Sequence, residues 1–113
     1  MLSWDDRPWG RWEEYLNEPG YRVKRLIVLP GKRLSLQTHR LRSEYWVVVQ
    51  GQGKLILGET ERRFLRGETV FIPLGAAHRV ENDGQTDLVI IETQLGTCLE
   101  DDIVRLHDDW NRV

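Results

Sequence analysis

Turn signals cut this chain into short pieces, and that punctuation limits its fold more than any other feature. Pro30-Gly31, Gly51-Gln52-Gly53, Gly58, Gly67, Pro73-Leu74-Gly75 and Asp83-Gly84 fall between runs of strand-forming residues. Glycine supplies left-handed backbone and proline a fixed φ, so such clusters mark turns. The runs between them, 21–29, 34–39, 44–50, 54–57, 62–65, 69–72 and 88–91, are rich in β-branched and aromatic residues or alternate in polarity. Strands that recur at roughly 8–12-residue spacing with turns between them predict an all-β sandwich or barrel. No segment sustains a 3.6-residue period. The one helical expectation is a short turn within 100–110, where acidic residues gather at the start.

A chain of 113 residues fits one domain, taken as 1–113. Its first twelve residues hold Trp4, Trp9 and Trp12. Each indole has a large area to bury, so this segment is expected to pack on the barrel or on a second subunit. Residues 97–113 form a C-terminal tail. Basic and acidic residues number 16 and 18, a balance that gives no reason to expect nucleic acid or an anionic membrane as partner. No apolar run nears the ~20 residues that span a bilayer. The start lacks the basic-then-apolar pattern of a secretory signal. Cys98 is the only cysteine; it can form no internal disulfide and reads as a small apolar residue, in keeping with a reducing cytoplasm.

One constellation carries chemistry. Residues two apart on a strand share a face, so Gln37 and His39 point the same way, with Ser35 and Arg33 behind them. Glu44 opens the next run on a face with Trp46 and Val48, and His78 follows a Pro-Leu-Gly turn. If the fold brings those strand ends together, Gln37, His39, Glu44 and His78 offer two imidazoles, a carboxylate and an amide oxygen to one divalent ion. Such a set suits Zn, Fe, Ni, Co or Mn. It contributes one negative charge, so a bound ion keeps a net positive charge and can polarise a hydroxyl or carbonyl.

The order of these residues is distinctive. Gly31, five residues, Gln37-x-His39, four residues, Glu44, six residues, Gly51 makes one set. Gly67, five residues, Pro73-x-Gly75, two residues, His78, three residues, Asn82 makes the second. Together they resemble the paired motifs of the cupin superfamily, with Gln37 where the first histidine usually stands. The resemblance implies a double-stranded β-helix, or jelly-roll barrel. Within that superfamily, Val23-Lys24-Arg25, Leu34-Ser35-Leu36-Gln37-x-His39, Arg42-x-Glu44-x-Trp46, Ile72-Pro73 and His78-Arg79 look like the type II phosphomannose isomerase domain. Arg7-Pro8-Trp9-Gly10 and the tail 100–105 extend the likeness across residues 7–112. In that family the domain is often fused behind a mannose-1-phosphate guanylyltransferase, of which nothing is present here. Tyr45 stands where the family has histidine, and Trp110-Asn111-Arg112 where it closes with Tyr-Gly-Arg.

The resemblance implies a metal-dependent isomerase that interconverts mannose 6-phosphate and fructose 6-phosphate. Such a reaction needs an electrophile, a base and an anchor for phosphate. Arg105, carried by the family tail, is the first candidate for a functional cation, followed by Arg42 and Lys24. Arg33, Trp46 and Arg105 are candidates for substrate binding. Trp46 is expected in the wall of the site, with Val48 and Ile72 as wall and core. Lys24, His107 or a metal-bound water are candidates for the base. Glu92 and Gln94 alternate on the last strand and either line the pocket or face solvent. Arg79 should point away from the His78 face. Two other functions stay open: a metal-containing cupin that binds sugar without turnover, and a small cupin oxygenase. The expected partners are a sugar phosphate and, by analogy with small cupins, a second copy in a homodimer.

Overall fold

The computed structural model describes residues 1–109. These residues form strands and loops with no helix. The first hairpin joins β1 (Ser3–Arg7) to β2 (Gly10–Glu18), and β2 continues into β3 (Tyr21–Val28). Then come β4 (Leu36–Thr38), β5 (Arg42–Gln50), β6 (Gln52–Leu57), β7 (Thr60–Leu65), β8 (Thr69–Ile72), β9 (His78–Glu81), β10 (Leu88–Gly96) and β11 (Val104–His107). All pairings are antiparallel, in two sheets of order β1-β2-β3-β10-β5-β8 and β11-β4-β9-β6-β7. This is the all-β architecture expected from the turn spacing.

Alternation decides which side chains lie between the sheets. On β3, Arg22, Lys24, Leu26 and Val28 are buried; on β10, Leu88, Ile90, Glu92 and Gln94; on β5, Arg42, Glu44, Trp46 and Val48. Leu55, Phe64 and Val80 answer them from the second sheet. The interior therefore has two zones. One end is apolar, built on Trp46, Val48, Phe64, Leu88 and Ile90, each worth about 1.5–3 kcal/mol by burial. The other end holds Arg22, Lys24, Arg42, Glu44, Glu92 and Gln94. Buried charge is tolerated only when paired or ligating, so the polar end is where function is sought.

Gly51 shows why the turn glycines recur. Its φ is +76°, and a Cβ there would lie 2.5 Å from the Asp87 carbonyl oxygen. Only glycine permits both that conformation and that approach. Of the three early tryptophans, Trp9 lies in the core, Trp12 packs against it, and Trp4 is half-exposed beneath the Arg11 guanidinium.

The helical turn expected within 100–110 is not present in the described part of that segment. Residues 104–107 instead pair with β4 as β11. The acidic residues before them bind elsewhere in the fold: Glu100 meets Arg22 and Lys24, and Asp102 accepts from the backbone N–H groups of Arg40 and Leu41. Tertiary partners outweigh a local preference worth a few tenths of a kcal/mol per residue. Trp110, Asn111 and Arg112 lie outside the described residues.

Candidate metal centre

Three of the four expected ligands meet. One ligand atom from each of His39, Glu44 and His78 lies within 4.8 Å of the others, and all three residues are buried. Glu44 projects inward from β5, His78 from β9, and His39 from the loop just after β4. The loop before β9 is tied to His39, because the Gly75 N–H donates to the His39 carbonyl at 2.9 Å. Gln37 sits opposite His78 in the β4–β9 pairing and lines the same cavity; its Oε1 accepts from Ser35 Oγ at 3.0 Å.

Hydrogen bonds fix the chemistry of both imidazoles. His39 Nδ1 lies 2.6 Å from the Asp102 carbonyl oxygen, and His78 Nδ1 lies 2.9 Å from that of Ala76. A carbonyl only accepts, so each Nδ1 carries the proton and each Nε2 presents a lone pair. These lone pairs converge on Glu44, at 3.3 Å for His39 and 3.8 Å for His78. Burial, and then the Arg42 guanidinium, push His39 down to about 4; burial also lowers His78. Both rings are therefore neutral, the state that ligates.

Two donors grip the Glu44 carboxylate. Trp46 Nε1 donates to its Oε1 at 3.0 Å and Arg42 Nε to its Oε2 at 2.8 Å. His78 Nε2 is buried with no hydrogen-bond partner among the described residues. A buried lone pair of that kind costs about 1–3 kcal/mol when nothing answers it. It sits beside a carboxylate and a second neutral imidazole, so the residues present fit a divalent ion.

His39 joins the cluster to a cavity of about 300 Å³ that is also lined by Lys24, Arg42, Glu92, Gln94, Glu100 and Arg105 among others; Glu44 and His78 are outside that lining. Arg105 lies on β11 opposite Gln37. Lys24 lies on β3 with its Nζ 4.1 Å from the centre of the Trp12 ring. Two candidates are placed elsewhere. Arg33 is a correction: it does not line the cavity but pairs with Asp109 at 2.7 Å and Glu81 at 3.0 Å, nearer the surface. Trp46 stands behind Glu44, fully buried and outside the cavity lining, so it braces the Glu44 carboxylate and does not form the wall. His107 is exposed beside Arg79, whose Nε donates to the Leu34 carbonyl.

Several lining residues were missed or left undecided by sequence. Glu92 and Gln94 both face inward; Gln94 Nε2 donates to Glu92 Oε1 at 2.6 Å, and burial, then the charge of Glu44, push Glu92 up to about 7. Arg22, buried on the same face but outside the cavity lining, was missed although it shares the parity of Lys24. Glu100 belonged to the tail that carries the family likeness, but nothing in the sequence gave it a partner.

Comparison with known proteins follows from this geometry. The family described as Mannose-6-phosphate isomerase C-terminal matches residues 4–108. Mannose-1-phosphate guanylyltransferase ManC of Salmonella typhimurium is 42% identical over 108 residues, 95% of this chain and 22% of that protein. The chain thus spans about a fifth of the length of the curated relatives it matches. The capsular polysaccharide assembling protein CapF of Staphylococcus aureus superposes with a TM-score of 0.81 at 25% identity, over 96% of this chain and 35% of that one. The cupin domain of Schizosaccharomyces pombe Cnp3 superposes at 0.73 with 14% identity, over 76% and 64%, which identifies the fold alone. A cupin sandwich with neutral imidazoles around Glu44, matched from residue 4 to 108, makes this chain a member of the mannose-6-phosphate isomerase C-terminal family.

Proposed function

We propose that the protein is a metal-dependent aldose–ketose isomerase acting on a hexose 6-phosphate, interconverting mannose 6-phosphate and fructose 6-phosphate. The observation that carries this reading is that His39, a member of the His39–Glu44–His78 cluster, lines one cavity with Gln37, Lys24, Arg42 and Arg105. Gln37, His39, Glu44 and His78 would hold one divalent ion of the Zn, Mn, Co, Fe or Ni class, which supplies an electrophile for the sugar's carbonyl and hydroxyl oxygens.

The chain's own residues supply the rest. Isomerisation moves one proton between two neighbouring sugar carbons and a second between their oxygens, and the carrier between the carbons works best when its pKa is near the working pH. Glu92 lines the cavity and its carboxyl is pushed up to about 7, so it takes the proton from one carbon and returns it to the next. Lys24, Arg42 and Arg105 bind the anionic substrate, and holding a remote phosphate aligns the reacting carbons. Leu26, Leu34 and Ile103 lend the cavity apolar wall and keep water from the reacting carbons.

The reading places the protein in the cytoplasm, where its lone Cys98 would stay reduced. It also pairs the chain with a second copy, supported by exposed Tyr45, Val49 and Phe71 on the outer face of the six-stranded sheet. The test is purified protein loaded with Mn, Co or Zn, mixed with mannose 6-phosphate, with fructose 6-phosphate followed. Turnover that Arg105→Ala abolishes at unchanged metal content supports the reading. Sugar binding without turnover replaces it with a binding cupin, and oxygen consumption with Fe(II) replaces it with an oxygenase.

A further inference from the structure

We propose that Arg22 and Lys24 are the seat for the substrate's phosphate group, and that Glu100 fills this seat as an internal counter-ion which the phosphate displaces. The inference rests on the sugar-phosphate reading for its substrate class and goes beyond it in naming the subsite and its occupant.

Arg22 and Lys24 lie two apart on β3 and share its inner face, each 5% exposed. Cations so buried require an anion. Glu14 answers one branch of Arg22, with Nη2 2.5 Å from its Oε2. Arg22 Nη1, at 2.6 Å, and Lys24 Nζ both reach the same oxygen, Oε1 of Glu100, and Arg22 Nε is buried with no hydrogen-bond partner among the described residues. Charged donors from two side chains converging on one anionic oxygen is how a phosphate oxygen is gripped.

The two sides of this contact differ in anchorage. The cations project from the middle of a six-stranded sheet, whereas the Glu100 side chain is 45% exposed and rides on the loop between β10 and β11. That loop is clamped at its ends. Thr97 N–H donates to the Leu41 carbonyl at 3.0 Å, and the Asp102 carboxylate accepts from the N–H groups of Arg40 and Leu41 at 2.9 Å. Between the clamps stand the turn bond from Asp102 N–H to the Leu99 carbonyl, at 3.2 Å, and the donation from Arg42 Nη1 to the same carbonyl, at 2.9 Å. Glu100 can leave without unseating the loop. Although burial disfavours its charged form, Lys24 and Arg22 hold its carboxyl below the usual range, so it competes as an anion. Lys24, Glu100, Arg42 and His39 line one cavity, so a phosphate on this seat leaves the sugar between it and the ligand cluster.

The test is calorimetric titration of the full chain with inorganic phosphate at low ionic strength. Glu100→Gln removes the competing charge and is expected to tighten phosphate binding roughly ten-fold or more, since a neighbouring like charge at this depth is weakly screened. Lys24→Gln in either background should abolish binding. In the parent protein, phosphate should speed hydrogen exchange at the Asp102 amide. Phosphate affinity that is unchanged or weaker in folded Glu100→Gln protein overturns the proposal, and that arm decides alone should Lys24→Gln fail to fold. Inorganic phosphate needs no turnover: tightening in Glu100→Gln without isomerisation of mannose 6-phosphate overturns the isomerase reading and leaves the anion seat standing.

Discussion

Arg42→Met separates the fold's electrostatics from those of the metal centre. Arg42 is 7% exposed and Glu44 1%. Their contact, Nε to Oε2 at 2.8 Å, is the one charged donation to that carboxylate among the described residues; Trp46 supplies the other, a neutral N–H. Removing one partner of a buried pair leaves the other charge uncompensated and costs about 3–5 kcal/mol. An ion held by His39, Glu44 and His78 would set positive charge against the same carboxylate and take over the role of Arg42. At roughly 1,000 times its dissociation constant such an ion adds about 4 kcal/mol to a folded state. It adds more to the variant, whose metal-free state is the more frustrated. Urea unfolding with chelator present should therefore show a deficit of about 3–5 kcal/mol. With saturating Mn the deficit should narrow to about 1–2 kcal/mol by the same linkage. A deficit below about 1 kcal/mol in chelator, the range of an exposed pair, refutes the buried-pair account. A deficit that metal leaves unaltered refutes the account of the centre.

Three further outcomes are expected. His78→Ala should lower bound metal at least about ten-fold by elemental analysis while the sheet signal in circular dichroism persists, because it removes the lone pair that nothing else answers; full retention counts against the centre. Trp46→Phe should cost about 1–3 kcal/mol in urea, since Glu44 Oε1 loses its donor in a dry site, and an unaltered midpoint would contradict that role. Burial disfavours the Glu14 carboxylate, but Arg22 and Ser3 hold its pKa below the usual range. Its contribution is thus present above the unfolded carboxylate pKa and is lost as pH falls through the lower, folded value. The parent protein should lose stability on acidification through that window, Glu14→Gln should have a flatter acid limb, and identical limbs would show that Glu14 is not responsible.

The sheet and the meeting of His39, Glu44 and His78 were legible because both rest on alternation and on turns that only glycine makes. His39, Glu44 and His78 announced themselves through spacing between Gly31, Gly51, Gly67 and Gly75, each of which has positive φ. Arg33 was misread for a physical reason: parity was carried back from Gln37, but β4 covers only Leu36–Thr38, and Arg33 belongs to an isolated bridge with Glu81. Alternation says nothing across an irregular stretch. Glu92 and Gln94 could not be oriented because β10 carries apolar residues in both phases, Leu88 and Ile90 inward and Val89 and Ile91 outward. The first hairpin was read as packing material and not as strands, since β2 mixes charged with aromatic or apolar side chains on both faces. The pairing of Glu100 could not be read because its partners lie more than seventy residues away, Arg22 78 and Lys24 76 positions earlier.

Glu44 stands on one sheet, and His78 and Gln37 on the other. An ion shared by them is a rivet through both walls of the sandwich, set at the end where the packing is polar and lacks the adhesion of the apolar zone. Loading the rivet should stiffen the open end far more than the Phe64–Leu88 end, so protease nicking near the loop before His78 would serve as a gauge of occupancy.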